Sequence, residues 1–278
     1  MSQSPGFDPN EADNQSVTPL PSTGEITNTG IPVPPPPPTN VRVNFPQRKP
    51  YVSYSLLIIT VLAYGLQVLT EIIFDIDMMA AVGMKVNSAI MEGQLWRLVT
   101  PIFLHGSLLH IGFNMYALHI LGPQLERFFG HWEFFLLYMV SGFGGVVFSF
   151  ILTENPSLGA STAIFGLLGA QGVFAYNNQR VFGLQARKAL RSIVNIAVIN
   201  FIIGLSPGID NWAHMGGLIG GLVITYYGGP VFTLTGSLPN LEATNEKTSE
   251  QFIIATGITL LFFALLAAAI IFLPISLI

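Results

Sequence analysis

The chain has 278 residues, of which 51% are hydrophobic and 9% charged, with a net charge of −4 and no cysteine. A soluble domain carries about 25% charged residues, so this composition excludes an ordinary water-facing globule and indicates a polytopic membrane protein. The acidic balance offers no basic patch for nucleic acid, and the lack of cysteine excludes disulfides, thiolate chemistry and cysteine-held metals.

Residues 1–50 are rich in Pro, Ser, Thr and Asn and include "IPVPPPPPTN". Such a stretch buries no core, so a disordered, Pro-rich tail is expected, either a solvated spacer or an adaptor-binding segment. It shows no charged-then-apolar leader, and we read no cleavable signal peptide. From residue 51 the charges vanish for long stretches: 51–70, 98–125, 134–153, 155–179, 192–209, 211–229 and 252–278 contain no Asp, Glu, Lys or Arg. Each supplies close to the roughly 20 apolar residues of a spanning helix, the fifth being short. A long connection, about 74–105, holds "MEGQLWRLVTP", whose Trp96 suits the membrane interface. The domain layout expected is therefore a tail (1–50), a six-helix core (51–230), and a linker with a seventh helix (231–278).

The Lys/Arg bias orients these spans. With the N-terminus in the cytoplasm, nine basic residues from residue 42 onward fall inside and only Lys85 and Arg97 fall outside. The expected location is the plasma membrane, multi-pass.

Polar residues in a bilayer are costly, so their positions carry information. In this topology segments 2, 4 and 6 all run from outside to inside. His110 and Asn114 lie in the outer half of segment 2, Ser161 near the start of segment 4, and Asn211 and His214 near the start of segment 6. Each alone reads as a packing or interface residue, yet all share one leaflet depth. His110 and Asn114, four apart, share a helix face. His119, nine residues beyond His110, faces elsewhere and reads as structural. His105, His110 and His119 cannot converge from one helix and no HExxH sequence is present, so no metal site is expected.

Serine becomes nucleophilic when histidine takes its proton, which suits Ser161 and His214 as a dyad. No acidic residue lies in the apolar part of a span; Asp210 reads as a helix cap, although it is close enough in sequence to touch the site. Phe165, one turn beyond Ser161, is a candidate platform for the imidazole. The first N–H groups of a helix have no intrahelical partner, so the Ser161 N–H can bind an oxyanion, with His110 and Asn114 as side-chain donors. Gly216, Gly217, Gly220 and Gly221 form overlapping GxxxG pairs that let segments 4 and 6 approach closely.

Over about residues 51–230 these features resemble the rhomboid family of intramembrane serine proteases. The matching elements are Trp96-Arg97; "HGSLLHIGFN" with His105, His110 and Asn114; "GPQLERFFG" with Gly122, Glu126 and Gly130; Gly159-Ala160-Ser161; and "AHMGGLIGG" around His214. The resemblance implies a fold that is all-α, a six-helix bundle with one extra C-terminal transmembrane helix. It implies Ser161 as nucleophile, His214 as base, and an oxyanion hole of His110, Asn114 and the Ser161 N–H. Trp96, Arg97, Glu126, Gly217 and Gly221 would be structural, and no cofactor is implied. Its substrates would be transmembrane proteins cut near the outer interface, with fifth-helix gating of a water-filled cavity. The family pattern has glycine after the nucleophile, where this chain has Thr162, a β-branched residue expected to crowd its neighbours. The alternative readings are a non-catalytic rhomboid-like protein that binds membrane clients and a transporter, the latter disfavoured by the lack of inverted repeats and ion-pair relays. The oligomeric state is not encoded in any of these features.

Overall fold

The charge-free segments become helices whose limits are set by local chemistry. A computed structural model describes residues 42–273 apart from Gln47 and Pro207. In chain order it contains β1 (Arg42–Asn44), α1 (Tyr51–Phe74), α2 (Met78–Gly83), α3 (Asn87–Met91), 3₁₀ turns at Leu95–Leu98 and Thr100–Phe103, α4 (Leu108–Phe129), α5 (His131–Leu152), α6 (Ser161–Asn177), α7 (Gln179–Ile203), α8 (Asn211–Gly228), β2 (Phe232–Ser237), β3 (Asn240–Asn245) and α9 (Ser249–Phe272). Among the described residues, α1, α5 and α9 are long and apolar enough to cross a membrane. Helices α1 and α9 expose Ile58, Leu62, Ile72, Ile254, Ile258 and Leu261. Apolar faces of that extent are expected against lipid rather than water.

Three expectations are corrected. Segment 98–125 is not helical from its start. Residues 98–107 run through tight turns around Pro101, and α4 begins at Leu108, where the Ser107 hydroxyl accepts from the His110 N–H at 3.2 Å. Residues 192–203 of segment 192–209 are instead the second half of a helix that starts at Gln179. Buried Phe182, Ala186, Ala189 and Ile193 form an apolar stripe along it, so Arg187, Lys188 and Arg191 ride on its outer face. Gly183, at φ 51°, breaks the helical path near its start.

The protein is also not all-α. A three-stranded sheet of order β1-β3-β2 pairs Val43 with Leu241 in parallel and Phe232 with Asn245 in antiparallel register. Part of the expected disordered tail is thus a strand, and the linker 231–278 contains a hairpin. Phe45 follows β1 and is buried, stacked on Phe182 at 5.1 Å and edge-on to Phe128 and Phe232. The Pro-rich residues 1–41 and the end of segment 252–278 lie outside the described residues.

Helices α5, α6 and α8 form the packed centre, with α9 against α5 and α8 and with α1 against α4. Glu126, fully buried on α4, accepts from the N–H groups of Val52 and Ser53 and from the Ser53 hydroxyl at 2.7–2.8 Å. It thereby caps the start of α1, satisfying donors that a helix leaves unpaired. Between α6 and α8 the contact is backbone on backbone. A Cβ on Gly217 would fall on the Thr162 carbonyl oxygen, and one on Gly221 on that of Gly166. The Thr162 side chain sits over Gly145 of α5, where a Cβ would be 2.7 Å from its own.

This seam generates the first prediction. Gly217→Ala and Gly221→Ala must each push a helix away, and overpacking of this kind costs about 1–3 kcal/mol. Gly257→Ala on α9 meets nothing within 4 Å and serves as the control. Thermal unfolding in detergent micelles is expected to fall by several degrees for the two seam variants and to stay unchanged or rise for Gly257→Ala.

Candidate active site

The site begins with the approach to α6. The Gly159 N–H donates to the Pro101 carbonyl at 2.9 Å, and the Ala160 N–H to Nε2 of buried His105 at 3.3 Å. Gly159 has φ 139°, a conformation open to glycine, and a Cβ there would lie 2.8 Å from Nε2 of His110 and 3.5 Å from Oγ of Ser161. The missing methyl therefore lets the imidazole of His110 come over the serine. Ser161 is the first residue of α6, and no side chain caps that end. Its own N–H thus points from a helix start, where partial positive charge gathers.

His214 comes from the first turn of α8. Asp210 caps that helix, its side chain accepting from the Ala213 N–H at 3.0 Å. The other Asp210 oxygen accepts from Ser149 Oγ, which also contacts Ser157 Oγ at 3.0 Å. Asp210 is therefore a cap tied to α5 and does not touch the His214 ring. Nε2 of His214 lies 3.0 Å from Oγ of Ser161. The ring stacks on Phe165, centroids 4.2 Å apart and planes within 9°. Nδ1 of His214 is buried with no protein partner among the described residues. The two side chains are thus within hydrogen-bond distance, and the imidazole rests on an aromatic face.

The remaining sequence candidates divide. Asn114, buried on α4, donates one amide hydrogen to the His110 carbonyl at 3.0 Å, which leaves its second. Asn211 does not join the cluster: its amide donates to the Phe201 carbonyl at 3.1 Å, tying α8 to the end of α7. His119 packs beside Tyr54 with ring centroids 5.9 Å apart, away from the serine. Among the described residues no group of three metal-ligating side chains occurs.

The WR element and its surroundings solve a backbone problem. Arg97, buried, donates to the carbonyls of Ala81 and Met84 at 2.7 and 2.8 Å; Trp96 donates to that of Val82 at 3.0 Å; Thr100 donates to that of Gly83. Four consecutive carbonyls at the end of α2 are thus satisfied by side chains of "WRLVT". Sequence reasoning assigned no role to His105, Gln67, Ser149 or Lys85. Gln67 holds His105 from both sides, its amide donating to the His105 carbonyl at 3.1 Å and its oxygen accepting the His105 N–H at 2.9 Å. A glutamine inside an otherwise apolar span was the available signal.

The comparisons agree with this architecture. A family model described as the Rhomboid domain matches residues 92–231. Rhomboid protease GluP of Bacillus subtilis (strain 168) is 38% identical over 178 residues, covering 64% of this chain and 34% of that protein. RHOMBOID-like protein 4 of Arabidopsis thaliana is 36% identical over 145 residues, covering 52% of this chain and 36% of the relative. RHOMBOID-like protein 6, mitochondrial, from the same plant is 38% identical over 141 residues, covering 50% and 46%. The chain spans from a third to just under half of the length of these relatives. The domain match takes in half of the chain and includes the serine, both histidines of the cluster and the WR element, so this protein belongs to the rhomboid family of membrane proteins.

Proposed function

We propose that this protein is an intramembrane serine endopeptidase that cuts transmembrane protein substrates near the outer membrane interface. The observation that carries the reading is the 3.0 Å contact between Ser161 Oγ and His214 Nε2 at adjoining helix starts. In the proposed mechanism Oγ attacks the scissile carbonyl as Nε2 takes its proton, and the imidazolium then protonates the leaving amine. Water hydrolyses the resulting acyl-enzyme by the same steps in reverse. The negative oxygen of each tetrahedral intermediate faces the Ser161 N–H, His110 and the second amide hydrogen of Asn114. An intact Ser–His pair at bonding distance favours this reading over a non-catalytic client binder. Of the paired residues, Ser161 remains half-exposed and reachable.

We place the N-terminus in the cytoplasm, the core spanning six times and α9 adding a seventh crossing, in a plasma membrane. The two basic residues that this topology leaves outside, Lys85 and Arg97, are both buried and bonded to backbone carbonyls. They serve the fold, so they do not weigh against the positive-inside assignment. Single cysteines at Glu154→Cys and Ser237→Cys, in this cysteine-free chain, are expected to label from opposite sides, outer and cytoplasmic respectively. Labelling of both from one side would overturn the topology.

The catalytic assignment is tested with a fluorophosphonate probe and a reconstituted transmembrane substrate. Wild type is expected to label and cleave, while well-folded Ser161→Ala and His214→Ala fall to background. Unchanged cleavage by Ser161→Ala would sink the mechanism.

The oxyanion assignment has its own signature. Asn114→Ala is expected to lower kcat by roughly 10- to 10³-fold with little change in KM, because the lost bond strengthens in the transition state. His119→Ala, packed on Tyr54, is expected to matter little. A change in KM alone for Asn114→Ala would make that residue a substrate contact.

A further inference from the structure

Lys85 is the one ammonium group among the described residues that is fully buried, and the proposed chemistry does not use it. Its Nζ donates to the carbonyls of Thr153 and Asn155 at 2.6 and 3.0 Å. Its backbone pairs with Ser157 in both directions, at 2.9 and 3.2 Å. Asn87, two residues on, donates to the Phe150 and Thr153 carbonyls at 3.0 and 3.2 Å. The segment gripped this way is the connection from α5 to α6, which ends in Gly159, Ala160 and Ser161. From the same connection Ser157 reaches Ser149, and Ser149 reaches the Asp210 cap of the helix that carries His214.

A buried charge is a costly way to tie two loops, since a hydrophobic side chain of similar volume commonly gives equal or greater stability. A charge-assisted bond fixes carbonyl positions more firmly than a neutral donor. Among the described residues Lys85 meets no carboxylate within 4 Å; Asp210 and Glu154 favour its charged form from farther away. Burial outweighs them and lowers its pKa to about 8, which keeps it mainly protonated at neutral pH.

We propose that Lys85 is the positioning residue for the nucleophile: its ammonium holds the Thr153 and Asn155 carbonyls, and so sets the path of the loop that delivers Ser161 to His214. The proposal rests on the protease reading for its catalytic consequence but makes a separate claim about the loop. It also assigns a purpose to the "WRLVT" side chains. By satisfying the carbonyls of residues 81–84 they hold the strand-like stretch from which Lys85 projects.

The test pairs hydrogen exchange with kinetics on the full chain in detergent or liposomes. In Lys85→Met, the Ser157, Gly159 and Ala160 amides are expected to exchange at least 10-fold faster, while those at the middle of α5 keep their protection. Thermal stability is expected to hold or rise, kcat and the rate of fluorophosphonate labelling to fall 10- to 100-fold, and KM to stay near wild type. A residue that merely stabilised the fold would lower stability and leave kcat of the folded fraction intact. Should Lys85→Met not fold, wild type supplies the same comparison by pH. Asp210 and Glu154 are the charged groups that act on Lys85, and loss of loop protection relative to α5 above about pH 8 reports loss of the Lys85 charge. Unchanged loop exchange in Lys85→Met, or in wild type on crossing about pH 8 where the variant does not fold, overturns the proposal. So does unchanged kcat in a variant whose loop has loosened. A wild type that neither labels nor cleaves would instead overturn the protease reading, and the exchange measurements would still decide whether Lys85 holds the loop.

Discussion

The contact on which the rest of the structure depends is the glycine seam between α6 and α8. Ser161 and His214 stand on different helices, 53 residues apart in sequence, and a hydrogen bond between their short side chains requires helix axes much closer than leucine faces allow. Gly217 and Gly221 provide that closeness by letting α8 rest on the carbonyls of Thr162 and Gly166. In lipid no hydrophobic force drives helices together, so the attraction comes from dispersion over this close contact. The same logic extends to α5. Gly142, Gly144 and Gly145 accept Ile102, Phe263 and Thr162, and Gly166 accepts Ser141. The centre is thus a three-helix unit fitted through small residues, and the placement of Ser161 against His214 follows from it.

A second constraint comes from irregular backbone beside a bilayer. Carbonyls outside regular helices need donors from the protein itself when water is scarce. The connection from α1 to α4 meets this need with side chains: Arg97, Trp96 and Thr100 on residues 81–84, Gln67 on His105, and Lys85 and Asn87 on the start of the α5–α6 connection. Two loops far apart in sequence are welded through these bonds. The preformed approach to Ser161 is one result. Burial of two cations that pair with no carboxylate among the described residues is the other.

Much of this was legible in the residues. Charge-free runs marked most of the helices, and the expected depth in a bilayer grouped Ser161, His214, His110 and Asn114, of which the structure sets Ser161 against His214. Periodicity separated His119 from His110. The failures have separate physical causes. Asn211 has the right depth, but its amide goes to Phe201 on the neighbouring helix, and depth alone does not give azimuth. The start of α7 was missed because Arg180 to Arg191 read as a polar break. Its buried stripe shows that charge on one face is compatible with helix. The sheet was missed because Arg42–Asn44 forms a strand only against Asn240–Glu242, nearly 200 residues away, and no local pattern in a Pro-rich tail announces such a partner. The neighbour that leaves room for the β-branched Thr162 is Gly145, seventeen residues earlier on α5.

Among the described residues no carboxylate pairs with the His214 ring, which bears on how the proposed chemistry would be controlled. In a triad the carboxylate fixes the tautomer and shares the charge of the imidazolium. Here Phe165 fixes the plane of the ring through a 4.2 Å stack, but it accepts no proton from Nδ1. Orientation and charge stabilisation, joined in one residue in a triad, are therefore separated. Orientation comes from packing, which the rigid α6–α8 seam makes reliable. In the proposed chemistry, stabilisation of developing charge would then fall mainly to the oxyanion side, assigned to the Ser161 N–H, His110 and Asn114. In a site built this way the surrounding backbone has to set the approach of the serine to Nε2 of His214, since no carboxylate steers the ring toward it. That dependence gives a physical reason for the weight of bonding spent on the Thr153–Ala160 connection, from His105 on the Ala160 N–H to Pro101 on Gly159 and Lys85 on Asn155.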